Sequence, residues 1–409
     1  MFRSRVLIQS LAAIPLIMST GSKVAMMEGN ANANTNTNPD FRVHQPSFSA
    51  TSLHKQPKKA LTTGKSEVTI DSLKLISGSS NPRLAESIAK AIDVPLCPAT
   101  ISRFSDGEVS IQINENIRGK DVFIIQSCAA PVNDSIMELL LTISCARRAS
   151  ARRIVAVIPY FGYKHHRRSS NISFKHNSRF MTSGAADFAM MLQELGVDRV
   201  IAIDLQRPGQ GLEACFFDNS IPVETILTTD GFVNYLINTQ KLQEPVTVIA
   251  PNAEVYKKAQ NFKQELEKSL KSNVELIPYF SVETGSGPSD VEQLHVQQAH
   301  QFDLKGGDAI IIDDMVDTGT TIQSLSQRLS EHGANRVIVC ASHGLFTEHA
   351  MEIIDASKIT KIIVTNSLPL PKNASQKIEQ LELAPYLADI ILTEHFRTVI
   401  LEEDTFHDE

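Results

Sequence analysis

The chain lacks several features that would place it in a specialised class of protein. It contains no tryptophan, and with 39 Lys and Arg against 46 Asp and Glu its formal net charge is −7, which argues against a general nucleic-acid-binding protein. An odd number of scattered cysteines, without Cys-x-x-Cys spacing, argues against a disulfide framework or a zinc site and indicates a reducing compartment. These cysteines are Cys97, Cys128, Cys145, Cys215 and Cys340. With 42% apolar and 21% charged residues, the 409-residue chain has the composition of a soluble globular protein.

The first 66 residues differ from the rest in charge and complexity. They carry eight Lys and Arg against two acids, so their formal charge is +6 and the remainder carries −13. Residues 1–5 are basic, and the apolar run that follows to Met18 is interrupted by Pro15 and is too short to span a membrane. Such a start resembles a mitochondrial or plastid transit peptide; a secretory signal and an untargeted tail are the alternatives. We expect residues 1–66 to be a disordered extension of a cytoplasmic or organellar protein that is neither secreted nor membrane-bound.

Beyond residue 66, short apolar runs alternate with amphipathic helical patterns. Buried parallel strands are predicted at 121–126, 153–160, 199–205 and 246–250, with helices between them. Alternation of this kind predicts an α/β protein built from two tandem doubly wound parallel-sheet domains. We place the first domain at 67–227 and the second at 228–409.

The most informative stretch joins a predicted strand to a predicted helix. Four apolar residues starting at Ala309 run into Asp313 and Asp314, then into a turn of small residues, and a helix is predicted over 322–333. The turn directs backbone amides and the positive end of a helix dipole at one place, which suits a phosphate. The two carboxylates at the carboxyl end of the strand can accept hydrogen bonds from sugar hydroxyls or hold Mg²⁺. The stretch therefore predicts a sugar-phosphate site.

This stretch also resembles the phosphoribosyl pyrophosphate loop of the type I phosphoribosyltransferase fold, in which an apolar strand, two acids and Asp-Thr-Gly-x-Thr follow one another. The resemblance implies that the two acids hold the ribose hydroxyls, and that the turn amides and threonine hydroxyls hold the 5-phosphate. The ribose 5-phosphate residues that it implies are Asp313, Asp314, Asp317, Thr318, Gly319, Thr320 and Thr321.

Segments of the first half resemble the ribose-phosphate pyrophosphokinase (phosphoribosyl pyrophosphate synthetase) family, namely 103–119, 122–127, 133–139 and 152–163. The resemblance implies an oligomeric enzyme, a homo-oligomer such as a hexamer or a hetero-oligomer with a paralogue. Its reaction would transfer the diphosphoryl group of MgATP to ribose 5-phosphate for nucleotide biosynthesis. It also implies that Phe104, Asp106 and Glu108 lie on a hairpin that reaches the adenine of ATP across a subunit boundary. A hairpin that only builds the oligomer is the alternative.

The sequence departs from the family pattern around the expected ATP site. Tyr163 is followed by Lys-His-His-Arg-Arg in place of Ala-Arg-Gln-Asp. A cluster of this kind can hold a triphosphate, so we assign an ATP contact to His165 and catalytic roles to His166, Arg167 and Arg168. A solvated basic loop is the alternative.

Two further departures concern the metal and the catalytic loop. Gln206 stands where the family has a histidine ligand, so the expected Mg²⁺ ligands are Asp204, Gln206, Asp218 and Glu224. The family brings a Lys and an Arg onto the transferring diphosphoryl group from a flexible loop, whereas residues 272–304 contain neither.

Three hypotheses follow from these patterns. The chain is an active ribose-phosphate diphosphokinase with a rearranged ATP clamp, or a regulatory subunit that kept the sugar-phosphate site and lost catalysis. A phosphoribosyltransferase acting on a nucleobase is the third, but it leaves the resemblance of the first half unexplained.

Overall fold

The computed structural model describes residues 69–163, 184–205, 217, 221–279, 304 and 306–404. The predicted N-terminal extension lies outside them. Up to residue 226, the helices and strands in chain order are β1 (Leu73–Ser77), α1 (Pro82–Ile92), β2 (Ala99–Arg103), β3 (Val109–Ile113), β4 (Asp121–Ile125), α2 (Val132–Arg148), β5 (Arg153–Ile158), α3 (Gly184–Glu194), β6 (Arg199–Ile203) and β7 (Val223–Ile226).

The first sheet is fully parallel, with strand order β1-β4-β5-β6-β7. All five residues of β4 are buried, as expected of a strand covered on both faces. Helices α2 and α3 supply the apolar core on one face and α1 packs on the other. Strands β2 and β3 form a separate antiparallel hairpin that contacts α2.

Residues 227–381 form a second unit of the same kind. Its elements are α4 (Thr229–Thr239), β8 (Val246–Ala250), α5 (Tyr256–Leu270), β9 (Glu275–Pro278), β10 (Asp308–Val316), α6 (Thr320–Glu331), β11 (Arg336–Gly344), α7 (Ala350–Ala356), β12 (Lys361–Thr365) and β13 (Ile378–Leu381). One more helix, α8 (Ala384–Asp404), follows this unit in the chain. The six strands are again parallel, in the order β13-β12-β11-β10-β8-β9. Helices α4 and α5 cover one face, and α6 and α7 cover the other. The predicted α/β class with two parallel sheets is confirmed.

The last helix, α8, packs on the first sheet although it follows the second sheet in sequence. Leu387 and Ile391 join the apolar core beside α1. Glu394 accepts from Arg153 at 3.0 Å and from Arg199 at 2.9 Å, so the helix is also tied to the amino ends of β5 and β6. Sequence patterns did not predict this packing, and the domain limits 67–227 and 228–409 stay a prediction. Among the described residues, no helix is both long and apolar enough to cross a membrane.

Candidate functional site

The two acids of the sugar-phosphate stretch lie near the carboxyl end of β10, beside the point where the strand order of the second sheet reverses. The chain runs from β8 outward to β9 and then returns to the other side of β8 as β10. Open α/β sheets bind ligands outside the carboxyl ends of their strands at such a switch point. Asp313 is buried, Asp314 and Asp317 are half-buried, and Thr320 and Thr321 are exposed. The predicted ribose 5-phosphate residues are therefore brought together where this fold places ligands.

The turn between β10 and α6 depends on Gly319. Its φ of 80° lies in the left-handed region that favours glycine, and it forms the amino-terminal cap of α6. Because glycine offers no side-chain acceptor, it leaves the amides of the first helical turn to a ligand, and those amides carry the positive end of the helix dipole. Thr318 Oγ1 and Thr320 Oγ1 lie 3.1 Å apart at the same turn. The helix begins at residue 320, two residues before the predicted start.

Tyr160 and His343 pack together beside the acidic end of β10. Their ring centroids are 4.9 Å apart at an interplanar angle of 69°. Burial is the largest cause of the raised pKa of Tyr160, and electrostatic interactions with Cys128, Asp317 and Asp314 raise it further. His343 is fully buried, and its Nδ1 lies 2.9 Å from Ser367 Oγ, so it has the surroundings of a structural strand residue.

Asp204, the first predicted metal ligand, is engaged in a buried polar cluster. It follows β6 with a positive φ of 43°, which an aspartate tolerates better than most residues. Its Oδ2 accepts from Lys258 Nζ at 2.8 Å and from Thr228 Oγ1 at 2.7 Å, and Ser342 Oγ also donates to it. Burial alone would raise the pKa of Asp204, but the ammonium and these hydrogen bonds outweigh burial and lower the pKa to about 2.

Two of the four predicted Mg²⁺ ligands, Asp204 and Glu224, are separated along the first sheet, and metal binding by the predicted set stays a prediction. Glu224 pairs in register with Ile201, three residues before Asp204 along β6, which corresponds to about 10 Å. Glu224 also lies 3.7 Å from Arg199 at the amino end of β6, whereas Asp204 follows the carboxyl end. Among the described residues, no group of three or more His, Cys, Asp or Glu side chains could hold a metal ion.

The three predicted adenine-contacting residues share the tip of the β2–β3 hairpin. Phe104 is 59% exposed, and its amide donates to the carbonyl of Glu108 at 2.9 Å. Asp106 Oδ1 accepts from the amide of Glu108 at 3.0 Å, and Gly107 closes the turn at a φ of 96°. The hairpin therefore presents an aromatic face and two carboxylates to solvent; contact with adenine stays a prediction. The other predicted residues, His165, His166, Arg167, Arg168, Gln206 and Asp218, lie outside the described residues.

Sequence analysis missed Lys258, although helical periodicity contained a signal for it. The apolar face of α5 carries Phe262 and Leu266, and Val255 precedes the helix. Lys258 lies three residues after Val255 and four before Phe262, so it occupies a core-facing position. A lysine on a buried helical face requires a polar partner, which here is Asp204.

Comparisons with known proteins agree over most of the chain. Residues 73–196 match a family model described as the N-terminal domain of ribose phosphate pyrophosphokinase, and residues 299–403 match the phosphoribosyl synthetase-associated domain. A ribose-phosphate pyrophosphokinase of Vibrio vulnificus is 39% identical over 323 residues, which cover 78% of this chain and 95% of that protein. The one of Aquifex aeolicus is 36% identical, covering 79% of this chain and 96% of the relative. The crystal structure of phosphoribosylpyrophosphate synthetase from Mycobacterium smegmatis superposes with a TM-score of 0.65 at 28% identity, covering 79% of this chain and 98% of that one.

Proposed function

The chain belongs to the ribose-phosphate pyrophosphokinase family, and on this premise we propose that it transfers the diphosphoryl group of MgATP to ribose 5-phosphate, forming phosphoribosyl pyrophosphate and AMP. The observation that carries the proposal is the intact loop over 313–321 at the switch point of the second sheet. Its acids, its glycine cap and its exposed threonines supply complementary groups for a phosphorylated sugar.

In this proposal each part of ribose 5-phosphate has its own partners. Carboxylates of Asp313 and Asp314 accept hydrogen bonds from the ribose hydroxyls, and such charge-assisted bonds are stronger than neutral ones. The 5-phosphate binds the first-turn amides of α6 together with the hydroxyls of Thr320 and Thr321, which are exposed. The end of β10 thereby orients the sugar, and the start of α6 orients the phosphate.

ATP is proposed to bind between subunits of an oligomer. The tip of the β2–β3 hairpin leaves Phe104 exposed, so its ring can stack on an adenine bound to a neighbouring copy or paralogue. Asp106 and Glu108 at the same tip can accept from the adenine amino group. The basic run from His165 to Arg168 is proposed to grip the triphosphate and to supply the positive charge that residues 272–304 lack.

Magnesium is proposed to enter as MgATP. Asp204 does not fit a metal ligand, because Lys258 neutralises its carboxylate and Thr228 and Ser342 donate to the same oxygen. Glu224 lies in register with Ile201, three residues before Asp204 along β6, and 3.7 Å from Arg199. The ion would screen the phosphate oxygens, while the chain's own residues orient the ribose.

A regulatory subunit without catalysis is the second candidate, because residues 272–304 carry no Lys or Arg to stabilise the transferring group. Purified protein incubated with MgATP and ribose 5-phosphate separates the two, with AMP release and thermal unfolding as readouts. AMP formation supports the enzyme. Ribose 5-phosphate that raises the melting temperature without AMP release supports the regulatory subunit, and no response in either assay refutes both.

The basic run is tested by a double substitution, Arg167→Ala with Arg168→Ala. If these cations stabilise the transferring group, the rate of AMP release falls about a hundredfold or more. Removal of a charge-stabilising donor has an effect of this size in other enzymes. Binding of ribose 5-phosphate should be unchanged, since its loop lies on the second sheet. Unchanged AMP release would refute the assignment.

The compartment is proposed from the sequence alone to be cytoplasmic or organellar. The basic extension over 1–66 is the proposed targeting segment. Fusion of this segment to a fluorescent protein tests the assignment, and export of the fusion would contradict it.

A further inference from the structure

A buried polar cluster connects the two sheets directly beneath the candidate site. It is defined by Asp204 after β6, Thr228 before α4, Lys258 on α5 and Ser342 on β11. Each of the four side chains is buried. Asp204 comes from the first sheet and the other three from the second unit, so one ion pair links the two.

The ammonium of Lys258 has no proton left for a ligand. Its three donors meet three acceptors: Asp204 Oδ2 at 2.8 Å, the backbone carbonyl of Asp313 at 3.1 Å, and Ser342 Oγ. A saturated, buried ammonium does not contact substrate directly. Its effect on the site must pass through the groups that it holds.

One of those groups is the backbone of β10 at Asp313. The ladder between β10 and β8 ends at the pair Ile311–Ile249, two residues before Asp313. Lys258 thus donates to the Asp313 carbonyl beyond the end of that ladder, while the ladder between β10 and β11 continues through the pair Asp313–Ala341. Asp314, the next residue, donates its amide to Asp313 Oδ1 at 2.8 Å, so the orientation of both acids depends on this backbone.

We propose that Lys258 is a positioning residue for the sugar-phosphate site, an internal cation that fixes the Asp313 backbone and takes Asp204 out of metal coordination. The inference rests on the proposed function, because it assumes that Asp313 and Asp314 bind the ribose hydroxyls. Thr228 supports the same role: it precedes α4 without capping it through its side chain, and its hydroxyl donates to Asp204 instead.

The first test compares Lys258→Met, Lys258→Arg and the matched control Lys257→Met, whose lysine is exposed on the same helix. Lys258→Met removes the cation that faces the buried carboxylate of Asp204, so the melting temperature falls by about 5–10 °C, and ribose 5-phosphate affinity by titration calorimetry falls about tenfold to a hundredfold. Lys258→Arg keeps a cation and recovers part of both losses. Lys257→Met changes neither.

A second variant separates positioning from general stability. Asp204→Asn combined with Lys258→Met removes both charges of the ion pair, so we expect the melting temperature to recover while ribose 5-phosphate binding stays weak, because the hydrogen bond from Lys258 to the Asp313 carbonyl is still missing. If the single variant does not fold, this double variant carries the binding test. Wild-type affinity in the double variant would overturn the positioning role.

Magnesium chloride alone tests the other half of the proposal. Wild type and Asp204→Asn should show the same dependence of melting temperature on Mg²⁺ concentration; a weaker response in Asp204→Asn would overturn the claim that Asp204 is not a ligand. Wild type that binds no ribose 5-phosphate would refute the proposed function and the positioning role together. Normal wild-type binding with an unaffected, folded Lys258→Met would refute only the positioning role.

Discussion

Asp121→Asn should destabilise the protein by removing the charge that anchors α8 to the first sheet. Asp121 is fully buried at the start of β4. Its carboxylate accepts from Arg152 Nε and a terminal nitrogen at 2.8 Å each, and its Oδ2 lies 2.9 Å from His395 Nδ1 on α8. An asparagine keeps the size of the side chain but turns two donors toward the arginines. The substitution therefore tests the charge rather than the packing.

The expected loss of unfolding free energy in Asp121→Asn can be worked out from proton linkage. Burial would raise the pKa of Asp121, but hydrogen bonds from His395 and Arg152 and the charges of Arg153 and Arg152 lower it from 3.8 to about 2. A difference of nearly two pKa units, at about 1.4 kcal/mol per unit, corresponds to about 2 kcal/mol of stability. In other proteins, removing one partner of a buried ion pair lowers the free energy of unfolding by about 3–5 kcal/mol. We expect the free energy of unfolding at pH 7 to fall by about 3 kcal/mol.

The sign of the pH dependence is fixed by the lowered pKa. The contribution of Asp121 is fully present above the unfolded-state pKa near 4 and is lost as pH falls through the folded-state value near 2. Urea unfolding of wild type and Asp121→Asn at pH 7, 4, 3 and 2 measures the difference. The difference in unfolding free energy between the two proteins should be large at pH 7 and should shrink as the pH falls from 4 to 2.

Asp389→Asn is the matched control, because it removes an exposed carboxylate from the same helix. It should change the free energy of unfolding by less than about 0.5 kcal/mol at every pH. A gap between wild type and Asp121→Asn that is absent at pH 7, or that persists unchanged at pH 2, would refute the reasoning.

Three other predictions concern the candidate site. Asp314→Asn should weaken ribose 5-phosphate binding about tenfold to a hundredfold without lowering the melting temperature, since it removes one charge-assisted acceptor; calorimetry measures it. Gly319→Ala forces a side chain into a φ of 80°, at about 1–2 kcal/mol, and should lower both the melting temperature and ribose 5-phosphate affinity. Phe104→Ala should leave unfolding unchanged, because the ring is exposed, but raise KM for ATP about tenfold if it stacks on adenine. An unchanged KM would favour the oligomer-building hairpin.

Local patterns predicted the central strands because their burial on both faces requires continuous apolar runs. The strand predicted at 246–250 has those bounds, and the one predicted at 121–126 ends one residue earlier. The edge strand β13 was not predicted, since two of its four residues are polar and only its pairing with β12 makes it a strand. Helix α6 begins earlier than predicted because Gly319 caps it from a conformation that a sequence pattern does not specify.

The site shows the same division between local and distant information. The loop over 313–321 was predicted because all its groups lie within nine consecutive residues. The link between Asp204 and Lys258 joins residues 54 positions apart, and that of Ser342 to Asp204 joins residues 138 apart, so neither follows from spacing. Asp204 was expected to hold Mg²⁺ because residues 204–206 resemble the metal-site pattern of the family, and that resemblance gives no information about the buried lysine that pairs with Asp204.

The return of α8 to the first sheet imposes an order on the biosynthesis of the protein. The roughly 160 residues between β7 and α8 must be translated before that helix exists, which takes about 10–30 s at ordinary elongation rates. During that interval the nascent first unit lacks the cover supplied by Leu387 and Ile391, and part of its apolar core faces water or a chaperone. The unit that is synthesised first is therefore the one completed last, and a ribosome that stalls within the second unit leaves the first one open to aggregation.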